Sequence, residues 1–165
     1  MWERAEGEGG STLNTTNITI RHARSEDIPR LCDLLAELFS LESDFVPDRE
    51  KQAHGLGALI AHPPGKVLVL VAVCDGQVVG MATVQTLLST AEGGRVGLVE
   101  DVIVDRAFRN RGVGTRLLEE VEEWSGKAGL LRLQLLADID NQPALDFYSV
   151  RRLNRTRLIC LRKML

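Results

Sequence analysis

The segment FRNRGVGTRLL, Phe108 to Leu118, sets Arg109, Arg111 and Arg116 beside Gly112 and Gly114, directly ahead of a run with helical periodicity. Arginines next to exposed glycine backbone add little to an apolar core, but they suit an anion. A helix N-terminus exposes unpaired N–H groups and carries partial positive charge, so it binds phosphates. Gly112 and Gly114 lack a Cβ, which lets backbone approach an oxygen closely. Arg109 and Arg111 add charge, and a diphosphate is the best-fitting ligand. Two other phosphate loops fail on spacing. The GxxxxGK loop followed by Ser or Thr is absent, and Gly112-Val113-Gly114 runs into Arg116-Leu117 without the third glycine of GxGxxG.

The elements around this loop must position it. ITIRHA, Ile18 to Ala23, alternates as a strand does, and Ser25 is placed to cap a helix carrying Ile28, Leu31, Leu35, Leu38 and Phe39 at helical spacing. A second helix is predicted from Asp48 to Ala61, ended by Pro63-Pro64. Strands are predicted over Lys66–Cys74, Gln77–Leu88 and Arg95–Val104, with Asp75-Gly76 as a hairpin turn and Gly93-Gly94 as a loop. The three are joined by short turns and must be antiparallel. Val113, Leu117, Leu118, Val121 and Trp124 then form one apolar helical stripe, closed by Gly126 and Gly129. Leu130–Ala137 reads as a buried strand, Pro143–Val150 as a short helix, and Arg155–Lys163 as a closing strand. The order β-α-α-β-β-β-α-β-α-β includes a crossover that makes strands 95–104 and 130–137 parallel. The expected fold is α+β, a mixed, mostly antiparallel sheet flanked by helices.

A length of 165 residues fits one domain over 17–165, with 1–16 read as a flexible N-terminal tail. The net charge of −3 argues against a nucleic-acid binder, which is usually basic. MWERAEGEGG lacks the apolar run of a signal peptide, and no window approaches the roughly 18 apolar residues of a membrane span, so a cytoplasmic protein is expected. Cys32, Cys74 and Cys160 are scattered and odd in number, which suggests buried thiols rather than a disulfide framework.

The stretch VIVDRAFRNRGVGTRLL closely resembles the signature of the GNAT superfamily of N-acetyltransferases, in which a strand leads through Arg/Gln-x-x-Gly-x-Gly/Ala into a helix. Arg109, Gly112 and Gly114 occupy the defining positions. The downstream NQPALDFY resembles the same family's Asn-x-x-Ala-x-x-Phe-Tyr pattern at Asn141, Ala144, Phe147 and Tyr148. The resemblance covers roughly residues 17–162. It implies a splayed pair of parallel strands and acetyl-CoA as cosubstrate. The diphosphate would rest on the N–H groups of Asn110, Arg111, Gly112, Val113, Gly114 and Thr115, and the pantetheine arm on the backbone of Val102, Ile103 and Val104, with Asn141 facing it. No metal is implied.

Acetyl transfer to an amine needs a neutral amine, a donor for the developing oxyanion and a proton for the leaving thiolate. Tyr148 is the single tyrosine, and the resemblance implies that it is the general acid. A backbone N–H near Val104 is the oxyanion donor expected. Glu100 and Asp101 lie in an apolar strand, where carboxylates are costly unless partnered. Adjacent strand residues point to opposite faces, so one of the two reaches the substrate readily. The VEDVIV segment resembles members in which the glutamate relays a proton through water, which favours Glu100 as base and leaves Asp101 as a structural acceptor. His22, His54 and His62 are distant in sequence from these motifs. The family usually has glycine and an aromatic where this chain has Arg152 and Leu153, so the last turn is expected to be reshaped.

Glu37, Glu42, Asp44, Asp48 and Glu50 suggest an acidic rim that would attract a cationic amine. A small amine acceptor is therefore expected, such as a polyamine, an aminoglycoside or an aminoalkyl compound. The alternatives are a protein N-terminus or lysine, or a non-catalytic acyl-CoA-binding regulatory domain. No nucleic-acid or membrane partner is expected. Dimers are common in the family, and no exposed stripe in the sequence selects one.

Overall fold

The computed structural model describes residues 17–41 and 44–165. The tail assigned to residues 1–16 and the acidic Glu42 lie outside these. Five strands form one sheet in the order β1 (Ile18–His22), β2 (Val67–Cys74), β3 (Gln77–Ser89), β4 (Gly94–Val104) and β5 (Leu133–Leu135). Neighbours among the first four pair antiparallel, and β4 and β5 are parallel. Helices α1 (Ile28–Leu41) and α2 (Arg49–Ile60) precede β2, α3 (Val113–Lys127) joins β4 to β5, and α4 (Gln142–Ser149) follows β5. Among the described residues, no helix is long and apolar enough to cross a membrane.

The near-continuous apolar run of β2 is explained by cover on both faces. Leu68, Leu70 and Ala72 of β2 share one cluster with Ala82 and Val84 of β3 and with Val113, Leu117 and Val121 of α3. Val71 and Met81 share the other with Ile103 of β4, with Leu31, Leu34 and Leu35 of α1 and with Leu56 of α2. Alternate residues of the central strands therefore feed two cores, one beneath α3 and one beneath α1 and α2. The β2–β3 hairpin turns at Asp75 (φ 49°) and Gly76 (φ 79°), both left-handed as a tight two-residue turn requires.

Several expectations change. Ser25 lies in a single 3-10 turn before α1, and it is the buried Asp27 carboxylate that accepts from the Arg24 N–H at 2.8 Å. Cys32 and Cys74 are buried, whereas Cys160 is exposed. β5 is reduced to three residues. The closing strand over 155–163 does not form, and Leu158, Ile159 and Leu161 are exposed. A strand needs a neighbour's ladder, and β5 pairs only from Leu133 to Leu135, too short an edge to template another strand.

Candidate active site

The arginine-glycine loop before α3 is held from α1. Arg30 and Glu37 lie two turns apart on that helix, and each grips an opposite charge in the loop. The Arg30 guanidinium pairs with Asp105 and donates Nε–H to the Val78 carbonyl at 3.0 Å. Glu37 Oε1 accepts from Arg109 Nη2 at 2.6 Å, while Arg109 Nε donates to the Val104 carbonyl at 2.9 Å. Arg109 thus spends donors on protein partners. Burial pushes the Asp105 carboxyl up, but the Ala107 N–H, Arg30 and Arg109 outweigh it and hold the group below the ordinary carboxylate range.

Between these anchors and α3 the backbone is left-handed at Asn110 (φ 59°) and Gly112 (φ 77°). Turns of this kind gather successive N–H groups into an anion-binding concavity. The first intrahelical bond of α3 runs from Arg116 N–H to the Gly112 carbonyl, 3.0 Å, so the N–H groups of Val113, Gly114 and Thr115 precede the ladder. A diphosphate fits this donor set. Arg111 lies with its guanidinium 5.5 Å from the Phe108 ring centroid.

β4 supplies the neighbouring edge. Its pairing with β5 stops at Val99–Leu135, leaving Val102–Val104 beyond it. Asp105 N–H bonds the Val79 carbonyl at 2.8 Å, and the alternation of an antiparallel ladder then turns Ile103 toward β3 and the backbone groups of Val102 and Val104 away from it. This is the splayed parallel pair. Its outer edge could hold an extended ligand strand, although Arg109 already takes the Val104 carbonyl.

The two carboxylates of β4 do not diverge as alternation predicts. Val84 pairs with Val99 but Ala82 with Val102, so Glu100 and Asp101 together oppose Thr83, a β-bulge. Asp101 N–H donates to Thr83 Oγ1 at 3.0 Å, and Thr83 Oγ1 donates to Asp101 Oδ2 at 3.2 Å. Glu100 Oε2 accepts from Gln85 Nε2 at 2.7 Å. Thr83 and Gln85 are two residues apart on β3 and share a face. The extra residue therefore brings both carboxylates to the α1–α2 side. Asp101 is the structural acceptor expected, and Glu100 is exposed.

Glu100 lines a cleft of about 490 Å³ between α2 and the ends of β2 and β3, shared with Gly55, Leu59, His62, Lys66 and Gln85. None of the described acids of the expected rim lines it. Glu37 is paired with Arg109, Asp48 caps α2 through the Lys51 N–H at 3.2 Å, and Asp44 and Glu50 are exposed.

α4 closes the other side. Asn141 caps it, accepting from Ala144 N–H at 3.2 Å, which leaves the amide NH2 as the end that could reach a ligand. Tyr148 is half-buried and meets Phe147 edge-on, centroids 5.3 Å apart. A Cβ on Gly114 would lie 3.1 Å from Phe147 Cζ, so glycine there lets α4 dock on the first turn of α3. Arg151, absent from the sequence reading, reinforces the docking. Its guanidinium sits 3.8 Å over the Phe147 ring, donates to the Phe147 carbonyl at 2.8 Å and bonds the Thr115 hydroxyl. Its position one helical turn after Phe147 was the available signal. Arg152 adopts φ 64°, so the turn keeps the glycine-type conformation and is not reshaped.

The Acetyltransferase (GNAT) family matches residues 28–152. The chain is 28% identical over 129 residues to an aminoalkylphosphonate N-acetyltransferase of Salmonella typhimurium, covering 78% of this chain and 80% of that protein. A 43-residue stretch, 26% of each chain, is 46% identical to a probable glucosamine 6-phosphate N-acetyltransferase of Oryza sativa. A solved structure of a possible acetyltransferase from Clostridium difficile 630 shares the fold, with a TM-score of 0.77 at 19% identity over 90% of this chain and 98% of that one. With the signature loop, the splayed strand pair and the α4 motif all in place, the chain belongs to the GNAT family of acetyltransferases.

Proposed function

We propose that the protein moves the acetyl group of acetyl-CoA to a small primary amine by direct attack in a ternary complex. The carrying observation is the continuity of β4, which runs from Glu100 in the cleft to Val104 beside the anion loop. Donor and acceptor would meet along one strand, four residues or roughly 13 Å long. Two curated relatives carry names that denote small amine acceptors, which supports the same reading.

Acetyl-CoA supplies the thioester that is attacked. The N–H groups of Asn110 to Thr115, with Arg111, hold its diphosphate, and the outer edge of Val102–Val104 together with Asn141 holds its pantetheine arm. Arg109 acts by fixing the loop. The Val104 N–H donates to the carbonyl oxygen as negative charge develops there. Glu100 takes the amine proton, directly or through water, and the Tyr148 hydroxyl gives a proton to the departing sulfur.

Calorimetric titration with acetyl-CoA, with ADP as control, tests the donor half. An amine panel with detection of released thiol tests the acceptor half. Specific binding followed by thiol release is the expected result, and Tyr148→Phe should cut kcat by roughly 100-fold while binding persists. Binding no tighter than ADP overturns the reading.

A further inference from the structure

The cleft beside Glu100 is walled mainly by side chains that carry no charge. On one side Gly55, Ala58, Leu59 and His62 follow at helical spacing, along one face of α2 and the turn after it. The other side is the sheet. Val67 of β2 pairs with Gln85 of β3, and Gln85 pairs with Leu98 of β4. Paired residues share a face, and Leu87, two positions after Gln85, shares it too. This is the face on which Val71 and Met81 meet α1 and α2. Val67, Gln85, Leu87 and Leu98 therefore form one surface, three strands and roughly 10 Å across.

Lys66 and Thr86 are one residue out of this set, and Thr86 N–H bonds the Lys66 carbonyl at 2.8 Å. Alternation turns both side chains to the α3 side, so Lys66 borders the cleft with its backbone. Glu100 is the one carboxylate among the described lining residues. Asp101, on the same side, is held by Thr83. Gln85 Nε2 holds Glu100 Oε2 at 2.7 Å without adding charge. The cleft of about 490 Å³ thus sets a single acid beside Ala58, Leu59, Val67 and Leu87. Its volume suits a small molecule.

We infer that the acceptor is a monoamine with an apolar body, aromatic or aliphatic, whose nitrogen meets Glu100 while its carbon skeleton lies between α2 and the sheet. This rests on the acetyl-transfer reading above and narrows it. An apolar body leaves water against Leu59 and Leu87, and Glu100 supplies the one charge contact the amine needs. A second cation, as in a polyamine or aminoglycoside, would meet no further acid of the lining. An anionic substituent would lie against the apolar walls near the Glu100 charge, with no lysine or arginine side chain of the lining turned toward it.

The test is acetyl-CoA-dependent thiol release by the full chain with propylamine, butylamine, hexylamine and phenethylamine. Spermidine and an aminopropyl phosphonate are the charged comparators. Along the alkylamines kcat/KM should climb about threefold per methylene, the factor for burying one CH2. Leu87→Ser, at an exposed position, should flatten that climb and cut kcat/KM for hexylamine about tenfold. A Cβ on Gly55 meets nothing within 4 Å, so Gly55→Leu fills the cleft without straining α2. It should raise KM for phenethylamine about tenfold. In both variants KM for acetyl-CoA should stay unchanged as the control for folding. A flat alkylamine series, a preference for spermidine or the phosphonate, or a selectivity untouched by both variants overturns this inference and leaves acetyl transfer standing. Absence of thiol release with every amine overturns both.

Discussion

Arg109 and Glu37 meet at 2.6 Å although 72 positions separate them, one in the loop before α3 and the other on α1. The first arginine of the signature thus serves as a brace, with Nε on the Val104 carbonyl and Nη2 on Glu37. If the pair acts by holding the loop, both residues should influence acetyl-CoA through one shared geometry. Arg109→Ala and Glu37→Ala should each weaken acetyl-CoA binding about tenfold, and the double variant should weaken it little further. The expected coupling is about 1 kcal/mol, within the range for residues in direct contact. Additive losses in a calorimetric double-mutant cycle would mean that Arg109 touches the ligand itself.

The bulge at Glu100–Asp101 depends on one hydroxyl. Thr83 is fully buried, and its Oγ1 both accepts from the Asp101 N–H and donates to the Asp101 carboxylate. Thr83→Val keeps the volume but strands a polar group, at about 1–3 kcal/mol. Thermal unfolding should fall by several degrees, and kcat should drop more than the KM for acetyl-CoA rises, because Glu100 loses its aim while the anion loop is unaffected. Thr83→Ser should recover both. A Thr83→Val protein with native stability would show that the bulge is held elsewhere.

What the sequence made legible was local. The glycines and the apolar stripe from Val113 to Trp124 located α3 and the left-handed turn before it, and the apolar runs located the central strands, because these signals repeat within a few residues. What it hid was non-local. The donors of Arg109 suit a phosphate or a carboxylate equally, and only folding brings Glu37 to them. The alternation rule assigned Glu100 and Asp101 to opposite faces because a bulge leaves no periodic trace, and the extra residue is visible only against Thr83 on the partner strand. His62 looked remote from every motif, yet the turn after α2 brings it to the cleft of Glu100. The closing strand failed for the same reason in reverse, since the alternation of Arg155–Lys163 says nothing about whether a partner edge exists.

Arg152 offers a stability gain. The Leu153 N–H bonds the Tyr148 carbonyl at 3.2 Å and the Arg152 N–H bonds the Ser149 carbonyl at 2.9 Å, the paired closure in which a helix ends on a left-handed residue. Arg152 fills that position at φ 64°, where a side chain costs about 1–2 kcal/mol. Arg152→Gly removes the cost and gives part of it back as unfolded-chain entropy. A net gain of about 0.5–1 kcal/mol in unfolding free energy, seen as a higher urea midpoint at unchanged slope, is expected. Destabilisation would show that the Arg152 side chain makes a compensating contact.

Asp27 sets an acid limit on the fold. Both its oxygens are held by the Arg21 guanidinium, at 2.7 and 2.9 Å, and Oδ2 also accepts from the Arg24 N–H at 2.8 Å. The hydrogen bonds from Arg21 lower its pKa, burial opposes them, and the Arg24 N–H adds to the lowering. The folded state therefore prefers the ionised carboxylate more than the unfolded chain does. The stabilisation is present above the unfolded value near pH 4 and is lost as pH falls through the lower folded value. Asp27→Asn should cost about 1.5–3 kcal/mol at pH 7, the range for hydrogen bonds to a charged group. The wild-type and variant denaturant midpoints should converge as the pH falls below the unfolded value near 4 and the native carboxyl takes up its proton. A difference that stays constant as the pH is lowered until the fold is lost would assign the loss to packing at the start of α1, with no contribution from the charge.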